Sequence, residues 1–168
     1  MALQLFKIAS TTVESPTASI EFTSIPSGYT DLIVYYSLRG SGTNSNEIRI
    51  TYNGVTTGYS NRVLYGSGSS VGSISPGTAY FYAGESPAVN DTTNTFSNGF
   101  TYIPNYTSSN AKSASTDVVE ENNSTTLNSL NLAANLCTNT AAITSIKIQP
   151  DSSFTWVANS PATLYGVL

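Results

Sequence analysis

The residues able to do chemistry in this 168-residue chain are few, and histidine, the commonest general base, does not occur at all. A serine or cysteine nucleophile needs such a base beside it, and a zinc site needs several His or Cys ligands. The chain has a single cysteine, Cys137. A serine–lysine pair stays formally open, but Lys7, Lys112 and Lys147 sit in no recognisable motif and read as outward positions on strands. Glycoside hydrolysis needs two carboxylates facing each other across a cleft. The adjacent pair Glu120 and Glu121, in "DVVEENN", would point to opposite faces of a strand and reads as that strand running out into solvent. The oxygens of "NDTTN", residues 90–94, could serve calcium, but their spacing fits no known loop and a polar surface loop accounts for them. "GSGSSVG", residues 66–72, holds a Gly-x-Gly without the lysine and following helix of a phosphate loop. The sequons at Asn90, Asn105, Asn122 and Asn123 are what an Asn/Ser/Thr-rich chain yields by chance. The expectation is a protein that is not an enzyme and holds no metal or cofactor.

Tyrosine is the remaining candidate for recognition, with eleven in the chain. Tyr59, Tyr65, Tyr80, Tyr82, Tyr102 and Tyr106 fall at strand ends or in loop-like sequence. A tyrosine supplies flat apolar area with a hydroxyl, which suits sugars and protein interfaces equally. Most of them are expected to cover sheet faces within the domain, with Tyr59, Tyr65 and Tyr106 as the candidate surface or ligand contacts.

The elements that would carry these residues are short strands. "TDLIVYYSLRG", residues 30–40, is the most apolar run. As a strand it points Leu32, Val34, Tyr36 and Leu38 one way and Asp31, Ile33, Tyr35, Ser37 and Arg39 the other. Bulk on both faces predicts a central strand with its second face covered. In "EIRITYN" Ile48, Ile50 and Tyr52 turn inward, and Asn53-Gly54 ends the run as a tight turn. "SIEFTSI" sets Ile20 and Phe22 against Glu21 and Thr23, and "TAYFYAG" sets Ala79, Phe81 and Ala83 against Tyr80 and Tyr82. "NSLNLAANL" sets Leu130, Leu132, Ala134 and Leu136 against Asn131, Ala133 and Asn135, with the leucine side expected in the core. "AITSIKIQP" is expected to turn Ala142, Thr144, Ile146 and Ile148 inward. "LQLFKIAS" and "ATLYGVL" make the ends strands too, and residues 66–77 and 85–98 read as exposed loops. About nine to eleven strands with turn signals between them, and no convincing helix, predict an all-β two-sheet antiparallel sandwich or barrel in a single domain, residues 1–168.

Composition sets limits on partners. Charged residues make up 10 %, against roughly 25 % in an ordinary domain. The net charge of −4, with Arg39, Arg49 and Arg62 scattered, gives no basic stripe for nucleic acid. No apolar run is long enough for a membrane span, and "MALQLFKIAS" lacks the apolar core of a signal peptide, so synthesis in a cytoplasm is expected. Cys137 reads as a small buried side chain.

Five phrases taken together carry a resemblance: "ASIEFTSIPSGYTDLIVYYSLRG" (18–40), "YSNRVLYGSGSS" (59–70), "YIPNY" (102–106), "NTAAITSIKI" (139–148) and "SPATLYGVL" (160–168). In this order they resemble small virion proteins of tailed bacteriophages, common among marine and cyanobacterial phages. Members are described as capsid decoration or cement proteins and as tail-fibre or head-fibre domains. The resemblance implies a jelly-roll-like sandwich, a homotrimer, displayed on the outer surface of a virion and partnered with the major capsid protein. A fibre head that binds a host-surface glycan is the alternative it leaves open. It brings no catalytic residues.

Overall fold

The computed structural model describes residues 4–68, 70–123, 129–151 and 153–168. In chain order the described residues form β1 (Leu5–Thr12), β2 (Ile20–Phe22), β3 (Asp31–Tyr36), β4 (Asn46–Tyr52), β5 (Tyr59–Ser67) and β6 (Ser70–Ile74). There follow β7 (Phe81–Ser86), β8 (Asn98–Ile103), β9 (Lys112–Glu120), β10 (Ser129–Cys137), β11 (Ile146–Pro150) and β12 (Pro161–Val167), and no described residue is helical. They make two antiparallel sheets, one of eight strands in the order β1-β12-β3-β8-β9-β10-β5-β6, the other β2-β11-β4-β7. The chain is an all-β, single-domain sandwich. A jelly-roll strand order is not established by this unequal division and rests on the resemblance.

The alternation of side chains explains most of the strands. β9 is the cleanest case: every second residue from Lys112 to Glu120 is buried and those between are exposed. Leu32, Val34 and Tyr36 of β3, Ile103 of β8 and Leu164 of β12 meet Phe22, Ile148, Ile48, Ile50 and Phe81 from the smaller sheet in one core. Trp156 is fully buried there, and its indole N–H donates to the Ile148 carbonyl at 3.1 Å. Cys137 lies in the same core as a buried free thiol. As expected, β3 is interior to its sheet, paired on both sides with β12 and β8. The cover expected over its second face is only partial, since Ile33 is buried there but Tyr35 is 40 % exposed. The Tyr35 ring packs on Phe100 at 5.7 Å and on Tyr165 at 5.8 Å, and Ile33 is buried in register between Tyr102 and Tyr165.

Several expectations are corrected. Residues 66–77 are not wholly loop, because Ser70–Ile74 pair along β5 as the edge strand β6. Backbone hydrogen bonding needs no particular side chain, so a Ser/Gly run pairs when a neighbour offers a ladder. The start of 85–98 belongs to β7, and the segment buries Ser86, Ala88, Asp91 and Ser97. β11 begins only at Ile146; before it Ile143 is buried while Ala142 and Thr144 are exposed. Lys112 is not outward but buried, and Arg39, expected on the outward face of β3, folds inward beyond that strand's end.

The largest correction concerns β10, whose phase is the reverse of that expected. Asn131, Ala133 and Asn135 point inward, while Leu130, Leu132 and Leu136 face out. The reason lies in what β10 confronts. β7 is an edge strand of the smaller sheet, and its unpaired side abuts the inner face of the larger one. The Tyr82 N–H donates to Asn61 Oδ1 (3.2 Å) and Asn135 Oδ1 (3.1 Å), and Asn135 Nδ2 donates back to the Tyr82 carbonyl at 3.2 Å. The Tyr36 hydroxyl serves the Ala83 carbonyl at 2.9 Å. A buried strand edge must be given hydrogen-bond partners, so amides rather than leucines line the wall it meets. The approach is close. At Gly84 (φ +86°) an added Cβ would stand 2.6 Å from Val118 Cβ.

Candidate functional site

The polar groups singled out in the sequence are held by the fold itself. The loop containing "NDTTN" does wrap a cation, but the cation is a guanidinium. Arg39 Nη1 donates to the carbonyls of Thr92 and Thr95 at 2.9 Å each, and Nη2 to those of Ala88 (2.5 Å) and Asp91 (3.2 Å). The Asp91 carboxylate accepts the Ala88 N–H at 2.6 Å. Lys112 Nζ donates to the carbonyls of Ser108, Asn110 and Thr140 at 2.6–3.0 Å, and burial lowers its pKa. Both cations thus pin loops through backbone carbonyls. Among the described residues no group of three His, Cys, Asp or Glu side chains comes together to hold a metal.

The acidic pair divides as the strand geometry requires, Glu121 outward and Glu120 inward. Glu120 is not solvated, however, with only 2 % of its surface exposed. Burial, with the charges of Glu85 and Asp91 adding to it, pushes its carboxyl up to about 8. One oxygen accepts from Asn122 Nδ2 at 3.2 Å, and the other, Oε2, has no hydrogen-bond partner among the described residues. Glu85 is likewise raised, first by burial and also by the neighbouring Glu47. A neutral carboxyl is far cheaper to bury than a carboxylate, so Glu120 holds its proton at neutral pH and Glu85 is shifted in the same direction. Glu120 is enclosed, whereas Glu85 is half-buried and lines a recess of the surface.

The candidate tyrosines separate into two buried and one accessible. Tyr59 packs its ring edge-on to Phe81 at 5.1 Å and donates to the Val55 carbonyl at 3.2 Å. Tyr106 is fully buried, its hydroxyl hydrogen-bonded to the Pro26 carbonyl. Both are core residues, because a hydroxyl with a backbone acceptor lets a tyrosine ring be buried whole. Tyr65 is half-buried and lines a recess of about 230 Å³ with Glu85, Asn131, Ser45, Ser67 and Ser129. That is below the range of roughly 300–1,000 Å³ usual for small-molecule sites. Of the others, Tyr80 donates to Glu47 at 2.7 Å, Tyr82 to Asn131 at 3.3 Å and Tyr102 to Asp31 at 2.6 Å. Burial raises the phenols of Tyr36, Tyr52, Tyr59 and Tyr82, the direction opposite to activation as a base.

The feature the sequence reading missed is on the outside of the larger sheet. One register line crosses it from β12 to β6 as Thr163, Tyr35, Phe100, Asp117, Leu132, Leu64 and Ser73. Beside it runs Val119, Leu130, Gly66 and Val71. The exposed fractions are large: Leu64 61 %, Leu130 55 %, Leu132 55 %, Leu136 40 % and Val71 88 %. A groove of about 730 Å³ follows this surface between β10 and the β5–β6 hairpin, floored by Leu64, Leu132 and Ala134 and edged by Arg62, Ser73 and Ser75. Such a surface can bind by burial. Compared with protein-family models, with curated proteins and with solved structures, the chain shows no match.

Proposed function

We propose that this chain is a structural protein of a bacteriophage virion, a homotrimeric decoration (cement) subunit seated on the outer surface of the head. Its jelly-roll-like sandwich would be made in the host cytoplasm and would clamp neighbouring major capsid subunits. The observation that carries the reading is a contrast between inside and outside. Arg39, Lys112, Asn61 and Asn135 are taken up by the fold's own backbone, while a broad apolar face is left outward. A rigid block with an adhesive face and no nucleophile–base pair suits assembly. The resemblance of five phrases to small phage virion proteins supports the choice of assembly. Modest contacts repeated over a lattice become effectively permanent through multivalency. The test is to add purified protein to heads lacking it, locate its density on the particle, and compare resistance to heat and osmotic shock. Decorated, hardened heads are expected; bare heads of unchanged resistance would reject the proposal.

A fibre head that binds host glycans is the second reading, favoured by the recess around Tyr65, Glu85 and Asn131. It loses Tyr59 and Tyr106 as contacts, since both are buried. Binding to a glycan array that Tyr65→Ala abolishes would raise it above the first.

A further inference from the structure

We infer that the outer leucine face of β5, β9 and β10 is buried against a second copy of this chain. The inference rests on the reading of the protein as an assembling subunit and names the surface through which it assembles. Adjacent strands differ sharply on this side: the outward positions of β9 before Val119 are Ser113, Ser115 and Asp117, whereas those of β10 are Leu130, Leu132, Ala134 and Leu136. No internal demand puts leucine there, because the hydrogen bonds that fix the phase of β10 are made by the asparagines on its other side. At their exposed fractions these leucines, with Leu64, Val71, Val119 and the adjoining Tyr35, offer on the order of 700 Å² of apolar surface. A soluble monomer rarely leaves a patch of that size open, and it is close to the ~800 Å² that each partner contributes to a stable interface.

Charge favours a copy over a foreign partner. The centre of the patch bears one cation and one anion, Arg62 opposite Ala134 and Asp117 opposite Leu132. Neither makes an ion pair among the described residues. A neighbouring copy brings the same two charges and can oppose each with its complement, so the acidic balance of the whole chain, −4, does not keep two such faces apart. A strongly charged partner would find nothing here to match it.

The test is sedimentation of the purified full chain at micromolar concentration, beside a Leu64→Thr/Leu132→Thr variant that replaces the directly paired leucines at the patch centre. The wild type is expected as an oligomer. The variant is expected as a folded monomer, with the same far-ultraviolet circular dichroism and self-association weakened about a hundredfold or more. Should that variant fail to fold, Val119→Thr/Leu130→Thr cuts the other side of the patch and must have the same effect. A wild type that is monomeric, or folded variants that keep the wild-type mass, would overturn the inference; a monomer would mean that another protein covers the face. The virion reading is judged separately. Assembly through this face without binding to phage heads would sink that reading alone, and decoration of heads by a monomer would sink this inference alone.

Discussion

Glu120 shows how the burial of a single residue becomes a property of the whole chain. Its folded carboxyl, at about 8, lies well above the ordinary 4.5 of an unfolded glutamate. The folded state therefore binds the proton more tightly. The stability this proton lends is complete below the unfolded value and is lost as pH rises through about 8, at a slope near 1.4 kcal/mol per pH unit. Glu85, raised by its own burial, acts in the same direction. Denaturant unfolding measured from pH 4 to 9 is expected to show stability falling across this window, with Glu120→Gln flattening the fall and gaining most above pH 8. A stability that rises over the window would contradict the enclosed, protonated acid. The residue types on the page were correct here; what the sequence lacked was their surroundings. A run such as "DVVEENN" reads equally well as a strand entering solvent or as one ending in a closed corner.

At the scale of elements, the edge of β7 governs its neighbours. Asn135→Leu is expected to cost about 2–3 kcal/mol in urea unfolding, since the Tyr82 carbonyl and the Thr116 hydroxyl lose a donor inside the protein. The apparently similar Leu136→Asn, on the outer side, is expected to change the monomer's stability by less than about 0.5 kcal/mol. The opposite ordering would mean that β10 is reversed relative to the fold described. Gly84→Ala tests the same approach from the other side. Its positive φ and the 2.6 Å separation from Val118 Cβ predict a loss of at least about 2 kcal/mol, read as a lowered melting temperature. The strands themselves were legible from alternation, as in β4 with Ile48, Ile50 and Tyr52 buried and Glu47 and Arg49 half-buried. β6 was not, because "SVGSI" owes its strand state to the ladder offered by β5.

For the whole molecule, assembly makes stability depend on concentration. If the leucine face is closed by a second copy, the melting temperature of the wild type rises as protein concentration rises, by mass action, and that of Leu64→Thr/Leu132→Thr does not. Scanning calorimetry over a hundredfold range of concentration reads this directly, and two flat profiles would remove the contribution of association. With only 10 % charged residues, the chain has little like-charge repulsion to oppose the association proposed through this face. Apart from this patch and scattered apolar side chains such as Leu5, Phe6 and Val89, its exterior is mostly uncharged and polar, and two of its cations, Arg39 and Lys112, are spent on holding loops.

By itself the sequence carried the class of the fold: period-two alternation, turn chemistry at the strand ends, and tyrosines and β-branched residues in place of helix formers. Alternation states that a strand has two unlike faces, and it does not state which of them is inside. For most strands hydrophobicity decides, because the opposing wall is an apolar sheet face. For β10 the opposing wall is the bare edge of β7, whose backbone amides and carbonyls need partners more than the leucines need shelter. Only the tertiary arrangement places that edge there, and so only it could turn the asparagines inward and leave the leucines for another surface.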